Sequence, residues 1–245
     1  MQRQFRDRRE AGRRLAMHLR EYAGRPDVLV LGLARGGVPA ASEVARALQL
    51  PLDVFVVRKL GVPGHEELAM GAIATGGVRV LDTRVIRSWN VPDAAIARVT
   101  SEQHRELERR EDAYRDMRPT PEVGGRTVLL VDDGLATGAS MFAAVSALRR
   151  ANPAVIVVAV PVGAPEACEA MRRHADDCVC VLAPPQFRGV GECYVDFSQT
   201  TDAEVRALLN AAARRVGTDP QSHLRAPVRE PLAPQPRRRG VSAIA

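Results

Sequence analysis

The sequence has few aromatic residues and almost no lysine. Phe, Trp and Tyr make up 4% of its 245 residues, whereas apolar residue types make up 46%. The hydrophobic core must therefore be built from Ala, Val and Leu. Lys59 is the single lysine among 35 basic residues. This preference for arginine over lysine is typical of the coding composition of the source. Because Lys59 departs from this preference, it is a candidate functional residue.

Long apolar runs and a leader sequence are also missing. No apolar stretch approaches the roughly 18–20 residues that a membrane-spanning helix needs. The first 22 residues carry charges throughout, which is unlike a secretory signal peptide. From these absences we expect a cytoplasmic protein that does not enter a membrane.

Cysteines are few and do not show paired Cys-x-x-Cys spacing. They stand at positions 168, 178, 180 and 193. A zinc site formed by His174, Cys178, Cys180 and Cys193 is one interpretation of these positions. Reduced and partly buried thiols are the interpretation that we favour.

Positive charge is in mild excess, with a net charge of +6 and a pI near 9.7. Residues 217–245 hold five arginines, two acids and five prolines, which predicts a disordered basic tail. The smaller positive excess of the rest of the chain suits binding of an anionic small molecule. Because no basic patch is interleaved with aromatic residues, the sequence disfavours nucleic acid as a partner.

Three familiar site motifs are absent. The string GLATGAS lacks the Gly-Lys-Ser/Thr end of a P-loop, and GLARGG does not match the dinucleotide fingerprint. No Gly-x-Ser-x-Gly nucleophile elbow occurs. A P-loop ATPase, a dinucleotide enzyme and an α/β-hydrolase are therefore disfavoured.

Strand-like and helix-like segments do alternate along the chain, which predicts a parallel sheet with helices on both faces. Ligands of such sheets bind at the carboxyl ends of the strands. We place the turns at 34–37, 58–59 and 132–140 at that edge. The predicted strands are 28–33, 52–57, 128–131, 154–160 and 177–182, with a hairpin over 72–82. The predicted helices are 5–22, 40–49, 83–117, 139–151, 166–173 and one that ends near 216.

The most informative stretch follows the predicted central strand. Asp132 and Asp133 come directly after it, and a loop of small and hydroxyl residues then leads into a helix. Carboxylates accept hydrogen bonds from sugar hydroxyls, and a helix N-terminus favours phosphate. A plain turn capped by aspartate is the simpler alternative. A second turn, Arg35-Gly36-Gly37, combines a fixed positive charge with a backbone that a ligand can approach closely.

The string VLLVDDGLATGAS resembles the phosphoribosyl diphosphate (PRPP) signature of type I phosphoribosyltransferases. The resemblance implies an α/β fold with a doubly wound, mainly parallel sheet, a small hood and a flexible loop. It implies one domain over 1–216, with its core at about 28–182 and a hood candidate at 183–201, for which the N-terminal helix is the competing candidate. Phe187, Tyr194 and Phe197 are the aromatic candidates in that hood.

The resemblance also implies roles for individual residues. Asp132 and Asp133 would hold the ribose hydroxyls and contact Mg²⁺, mostly through PRPP and water. Arg58 and Lys59 would act catalytically from the base of a mobile loop. The 5′-phosphate would be bound by Ala136, Thr137, Gly138, Ala139 and Ser140, and the pyrophosphate by Arg35, Gly36 and Gly37.

The implied activity is transfer of the phosphoribosyl group from Mg²⁺·PRPP to a nitrogenous acceptor base, with release of pyrophosphate. The resemblance also implies a homodimer and a place in nucleotide metabolism. Ala136 stands where 6-oxopurine enzymes carry an acid, which disfavours hypoxanthine and guanine and leaves adenine, orotate, uracil or another acceptor open. The alternative is a regulatory protein of the same fold that binds PRPP or a nucleotide without turnover.

Overall fold

The computed structural model describes residues 4–116 and 118–216. The predicted tail at 217–245 lies outside these ranges. The helices are α1 Arg8–Met17, α2 Gly37–Leu48, α3 Thr83–Ser88, α4 Asp93–Arg115, α5 Ala139–Arg150, α6 Pro165–Arg172 and α7 Asp202–Val216. The strands are β1 Val28–Leu33, β2 Leu52–Phe55, β3 Val57–Val62, β4 His65–Ala74, β5 Val78–Leu81, β6 Thr127–Val131, β7 Val155–Val162 and β8 Asp177–Leu182.

The main sheet has five parallel strands in the order β2-β1-β6-β7-β8. Strands β1 and β6 are neighbours, and Gly32 of β1 pairs with Val131 of β6. The turns that follow these two strands therefore begin side by side at the carboxyl edge of the sheet. The predicted α/β fold with a mainly parallel sheet is confirmed.

Helices cover both faces of this sheet. Along β1, Leu29 and Leu31 pack with α5 and α6, whereas Val28 and Val30 pack with α1 and α2. This alternation follows from the period of two in a strand, and both sets are apolar because both faces are buried. Alanine and valine fill much of the two layers, as the shortage of aromatic residues predicts.

The predicted strand at 52–57 is divided between two sheets. Strand β2 ends at Phe55, and β3 begins at Val57 in a separate antiparallel sheet, β3-β4-β5. Thr75 holds the bend, because its backbone N–H donates to the Val56 carbonyl and its hydroxyl accepts from the Val56 N–H, both at 2.9 Å. Arg58 and Lys59 consequently lie within β3, and their predicted place at a carboxyl end of the main sheet is wrong.

Two predicted helices are shorter or divided. Helix α1 begins at Arg8 rather than at residue 5, because the Asp7 carboxylate accepts from the N–H of Glu10 at 2.7 Å and caps the helix. The predicted helix at 83–117 separates into α3 and α4. Asn90 takes a left-handed conformation with φ 47°, and Pro92 precedes the start of α4.

The chain preceding α1 pairs with the irregular segment that follows β8. The N–H groups of residues 4 and 5 donate to the Cys193 carbonyl at 3.0 Å, and Val195 donates to Phe5 at 2.8 Å. Phe5, Cys193 and Tyr194 form a small buried cluster there. We call residues 4–8 and 190–200 the composite hood. No helix in the described ranges has the length and apolarity required to cross a bilayer.

Candidate functional site

The acidic pair at the carboxyl end of β6 is held by the protein on one side only. Asp132 Oδ1 accepts the backbone N–H of Asp133 at 2.8 Å, and Asp133 Oδ2 accepts Arg8 Nε at 2.7 Å. The Tyr194 hydroxyl donates to the carbonyl oxygen of Asp133 at 2.6 Å. The other carboxylate oxygens, Asp132 Oδ2 and Asp133 Oδ1, accept no hydrogen bond from any described residue. Each acid therefore offers one oxygen to a ligand.

Burial disfavours the charged form of both acids. Desolvation, with the neighbouring Asp133 charge, raises the pKa of Asp132 well above its ordinary value. Desolvation also raises the pKa of Asp133, although the Arg8 guanidinium opposes this effect. Hydroxyl donors or a cation placed between the two free oxygens would offset this cost. The pair is thus better suited to a bound ligand than to an empty site.

The loop that follows the acids forms a small cradle. It borders a cavity of about 170 Å³ that is also lined by Asp132 and Val190. Gly138 has φ 78°, and α5 begins immediately after it. Among the described residues, none accepts from the backbone N–H groups of Thr137, Gly138 or Ser140. A row of free N–H groups at a helix N-terminus is a binding site for an anion.

The turn after β1 packs against the acidic pair. A Cβ atom on Gly36 would lie 2.3 Å from Asp133 Oδ2, and one on Gly37 would lie 2.5 Å from the Val131 carbonyl oxygen. Only glycine fits at these two positions. The turn thus brings Arg35 to the same edge of the sheet as the acids, with the Ala34–Arg35 peptide bond cis.

Arg35 is held from the C-terminal helix. Its Nη1 lies 3.4 Å from Asp202 Oδ1, which also accepts the Tyr114 hydroxyl at 2.8 Å. The Arg35 side chain is 31% exposed, so it remains accessible to an anionic ligand. Burial and the Asp202 carboxylate raise the pKa of Tyr114 to about 12, which keeps it a proton donor.

Arg58 and Lys59 are not brought to the acidic pair. Arg58 Nε and Nη2 donate to Gln103 Oε1 of α4 at 2.9 and 2.7 Å. Arg58 and Lys59 border a cavity of about 400 Å³ between the β3–β4 hairpin and α4. The lining of this cavity includes neither Asp132 nor Asp133. Their catalytic role would require movement of the hairpin and stays a prediction.

The hood aromatics serve the site in a way that the sequence did not reveal. Tyr194 is buried to 1% exposure and supports the Asp133 backbone. Phe197 carries the Arg8 guanidinium 3.9 Å from its ring centroid and lies 5.1 Å from the Tyr194 ring. Arg8 and Asp202 were missed as site residues, whereas Tyr194 was a hood candidate whose contact with the Asp133 backbone was not foreseen. Arg8 had no signal of its own, because it is one of many arginines along α1.

The fold is that of an α/β protein, and one edge of its main sheet carries two acids, a glycine turn and a loop with free backbone N–H groups. A family model for the phosphoribosyl transferase domain matches residues 2–198. The chain belongs to this family, and the resemblance identified from the sequence is confirmed. Phosphoribosyltransferases are pentosyl-transferring glycosyltransferases, which is also the enzyme class that the sequence predicts.

Individual relatives agree with this membership. Proteins named "Putative phosphoribosyl transferase" in two strains of Mycobacterium tuberculosis are 47% identical to the chain over 210 residues, which is 86% of the chain. The match covers 47% of each relative, so the chain spans about half of their length. The crystal structure of TT1426 from Thermus thermophilus is 45% identical, with a TM-score of 0.75, and the match covers 84% of this chain and 97% of that one.

Proposed function

We propose that the protein transfers the 5-phosphoribosyl group of PRPP to a nitrogenous acceptor base and releases pyrophosphate. One observation carries the proposal. Asp132 lines the same cavity as the loop with unpartnered backbone N–H groups, and Asp132 and the adjacent Asp133 each keep one carboxylate oxygen free of described hydrogen-bond donors. Vicinal ribose hydroxyls and a 5′-phosphate have matching chemistry at the two ends of one molecule.

The loop from Ala136 to Ser140 would hold the 5′-phosphate, and the acids would accept the 2′- and 3′-hydroxyls. The nitrogen–C1 bond forms as the bond from C1 to the pyrophosphate oxygen breaks, so positive charge develops on the ribose ring. Asp132 and Asp133 are fixed beside that ring before reaction. Carboxylates placed in this way favour the developing charge without further reorganisation.

Arg35, Gly36 and Gly37 would receive the pyrophosphate. Arg35 supplies a guanidinium with donors suited to phosphate oxygens, and the two glycines allow the backbone to approach. Arg58 and Lys59 would add positive charge when the β3–β4 hairpin closes over the site. Closure would also exclude water, whose attack on PRPP is the competing reaction.

The residues present fit the Mg²⁺ that the family implies. Two free carboxylate oxygens are hard ligands of the kind Mg²⁺ prefers, and this ion usually retains waters and substrate phosphate oxygens. Within the described ranges no cluster of three or more His, Cys, Asp or Glu residues is arranged to hold a metal. This fits an ion that is carried mostly by PRPP. When bound, Mg²⁺ would neutralise the charge of the pyrophosphate.

The acceptor is proposed as a class only. Ala136 offers no carboxylate to the base, so we propose adenine, orotate, uracil or a related nitrogenous acceptor rather than hypoxanthine or guanine. A homodimer and a cytoplasmic location are likewise parts of the proposal.

The test is incubation of the full-length protein with Mg²⁺·PRPP and a panel of nucleobases, with release of pyrophosphate as the readout. We expect release that depends on one acceptor and yields the matching ribonucleotide. The control is Arg149→Met, which removes an exposed ion pair with Asp176 and should behave like the wild type. Binding of PRPP without release under every acceptor would favour the regulatory alternative, and absence of PRPP binding would contradict both.

A further inference from the structure

Arg8 is the one side chain in the described ranges that hydrogen-bonds the Asp133 carboxylate. Its Nε donates to Asp133 Oδ2 at 2.7 Å, and its Nη1 donates to the Ser198 carbonyl at 2.7 Å. The side chains of Arg8 and Asp133 are 11% and 13% exposed. The guanidinium carbon also lies over the Phe197 ring, 3.9 Å from its centroid. Three contacts thus fix its position.

The glycine turn packs closely against the anchored oxygen of Asp133. Asp133 Oδ2 also faces Gly36, where an added Cβ would come within 2.3 Å. The terminal torsion of an aspartate is broad, so a carboxylate without an anchor samples both orientations. Arg8 removes that freedom and leaves Oδ1 as the oxygen presented to the ligand. We propose that Arg8 is a positioning residue of the ribose subsite, an inference that rests on the proposed function.

This role differs from a purely structural ion pair in what it predicts for ligands. Arg8 acts through Asp133, whereas the phosphate cradle is built from backbone N–H groups around a cavity that Arg8 does not line. Loss of Arg8 should therefore weaken ligands that carry ribose hydroxyls and spare a ligand that carries phosphate alone. A general disturbance of the fold would weaken both.

The experiment measures binding of ribose 5-phosphate, Mg²⁺·PRPP and inorganic phosphate to full-length Arg8→Ala by calorimetry. We expect the Kd of both ribose ligands to rise about tenfold, as for loss of one charge-assisted contact, with phosphate unchanged. Arg8→Lys should recover much of the loss, because an ammonium can still contact Asp133 but cannot replace the planar guanidinium. Phe197→Leu should produce a smaller shift in the same direction.

The matched control is Arg14→Ala on the same helix. Arg14 also pairs with an acid, Glu10, at 2.9 Å, and its guanidinium carbon lies 5.3 Å from the Phe5 ring, yet it does not contact Asp133. We expect wild-type affinities for this variant. Equal Kd values for wild type and Arg8→Ala, or a parallel loss of phosphate affinity, would overturn the inference. Failure of the wild type to bind either ribose ligand would instead overturn the proposed function.

Discussion

At the scale of single residues, the buried acidic pair lowers the free energy of unfolding, and a bound ligand would offset this loss. Burial and mutual repulsion raise the pKa of Asp132, so folding disfavours its ionised form. A carboxyl group with a raised pKa binds more protons in the folded than in the unfolded state. Its contribution to stability therefore falls as pH rises through the interval above the unfolded value of about 3.9. The cost is absent well below that value and grows as pH rises above it.

We predict that Asp132→Asn raises the free energy of unfolding at neutral pH by about 1 kcal/mol, a typical gain when a strained functional group is removed. The gain should shrink when pH falls towards about 4. Asp133→Asn should not stabilise, because it removes the negative charge that pairs with the largely buried Arg8 guanidinium. Urea denaturation at both pH values measures the effect.

The same two variants should bind PRPP more weakly, and the double variant Asp132→Asn with Asp133→Asn should lose measurable affinity. Asparagine keeps the size of aspartate but replaces one acceptor oxygen by an NH₂ group. This group cannot accept a hydrogen bond from a ribose hydroxyl. Calorimetric titration with Mg²⁺·PRPP measures this. Wild-type affinity in the double variant would remove the acids from the site.

At the scale of elements, α4 is fastened to the edge strand of the main sheet by a buried arginine. Arg115 is 4% exposed, and its Nε, Nη1 and Nη2 donate to Asp53 Oδ1 at 3.2 Å, Glu111 Oε1 at 2.8 Å and the Val54 carbonyl at 2.9 Å. Burial raises the pKa of Asp53, and the Arg115 charge opposes this effect. The ion pair thus holds β2, and with it the bend towards the hairpin, in place.

We predict that Arg115→Met destabilises the protein by about 3–5 kcal/mol, because it leaves a buried carboxylate unpaired. Adding Asp53→Asn should recover part of the loss, and a double-mutant cycle in urea measures the coupling. Arg149→Met is the control. Its ion pair with Asp176 is about 40% exposed on both sides, and its loss should cost less than about 1 kcal/mol.

Elements that depend on local sequence could be predicted, whereas features that depend on distant contacts could not. Strands β1, β6 and β7 are continuous apolar runs, so local sequence sufficed to predict them. The bend at Val56 was missed because its cause, the Thr75 hydroxyl, lies 19 residues away. The acids, cradle and glycine turn were predictable because each is a local string. The contacts of Arg8 and Tyr194 with Asp133 were not predictable, because contacts across 125 and 61 residues leave no local pattern.

At the scale of the whole molecule, the composite hood links the beginning of the described chain to its later part. Phe5 is 1% exposed, and its ring centroid lies 5.5 Å from that of Tyr194. Tyr194 in turn donates to the Asp133 carbonyl. The stability of the hood and the geometry of the acids are therefore coupled through one tyrosine.

We predict that Phe5→Ala lowers the free energy of unfolding by about 3–5 kcal/mol, the usual cost of deleting a buried phenyl group. It should also weaken ribose 5-phosphate binding, because Tyr194 loses its packing partner. Leu107→Ala, a fully buried position on α4, is the matched control. It should destabilise by about 2–5 kcal/mol without changing affinity for the ligand in the folded protein. Equal affinities for Phe5→Ala and Leu107→Ala would contradict the coupling.

The pairing of residues 4–6 with residues 193–196 also sets a timetable for synthesis. A ribosome adds about 5–20 residues per second, and segments made early can fold before later ones exist. The parallel strands β1 and β6 can associate once residue 131 has emerged, whereas the support of Asp133 by Tyr194 and of Arg8 by Ser198 requires the later residues 194 and 198. The nascent chain can thus pair the central strands of its main sheet before the composite hood can form.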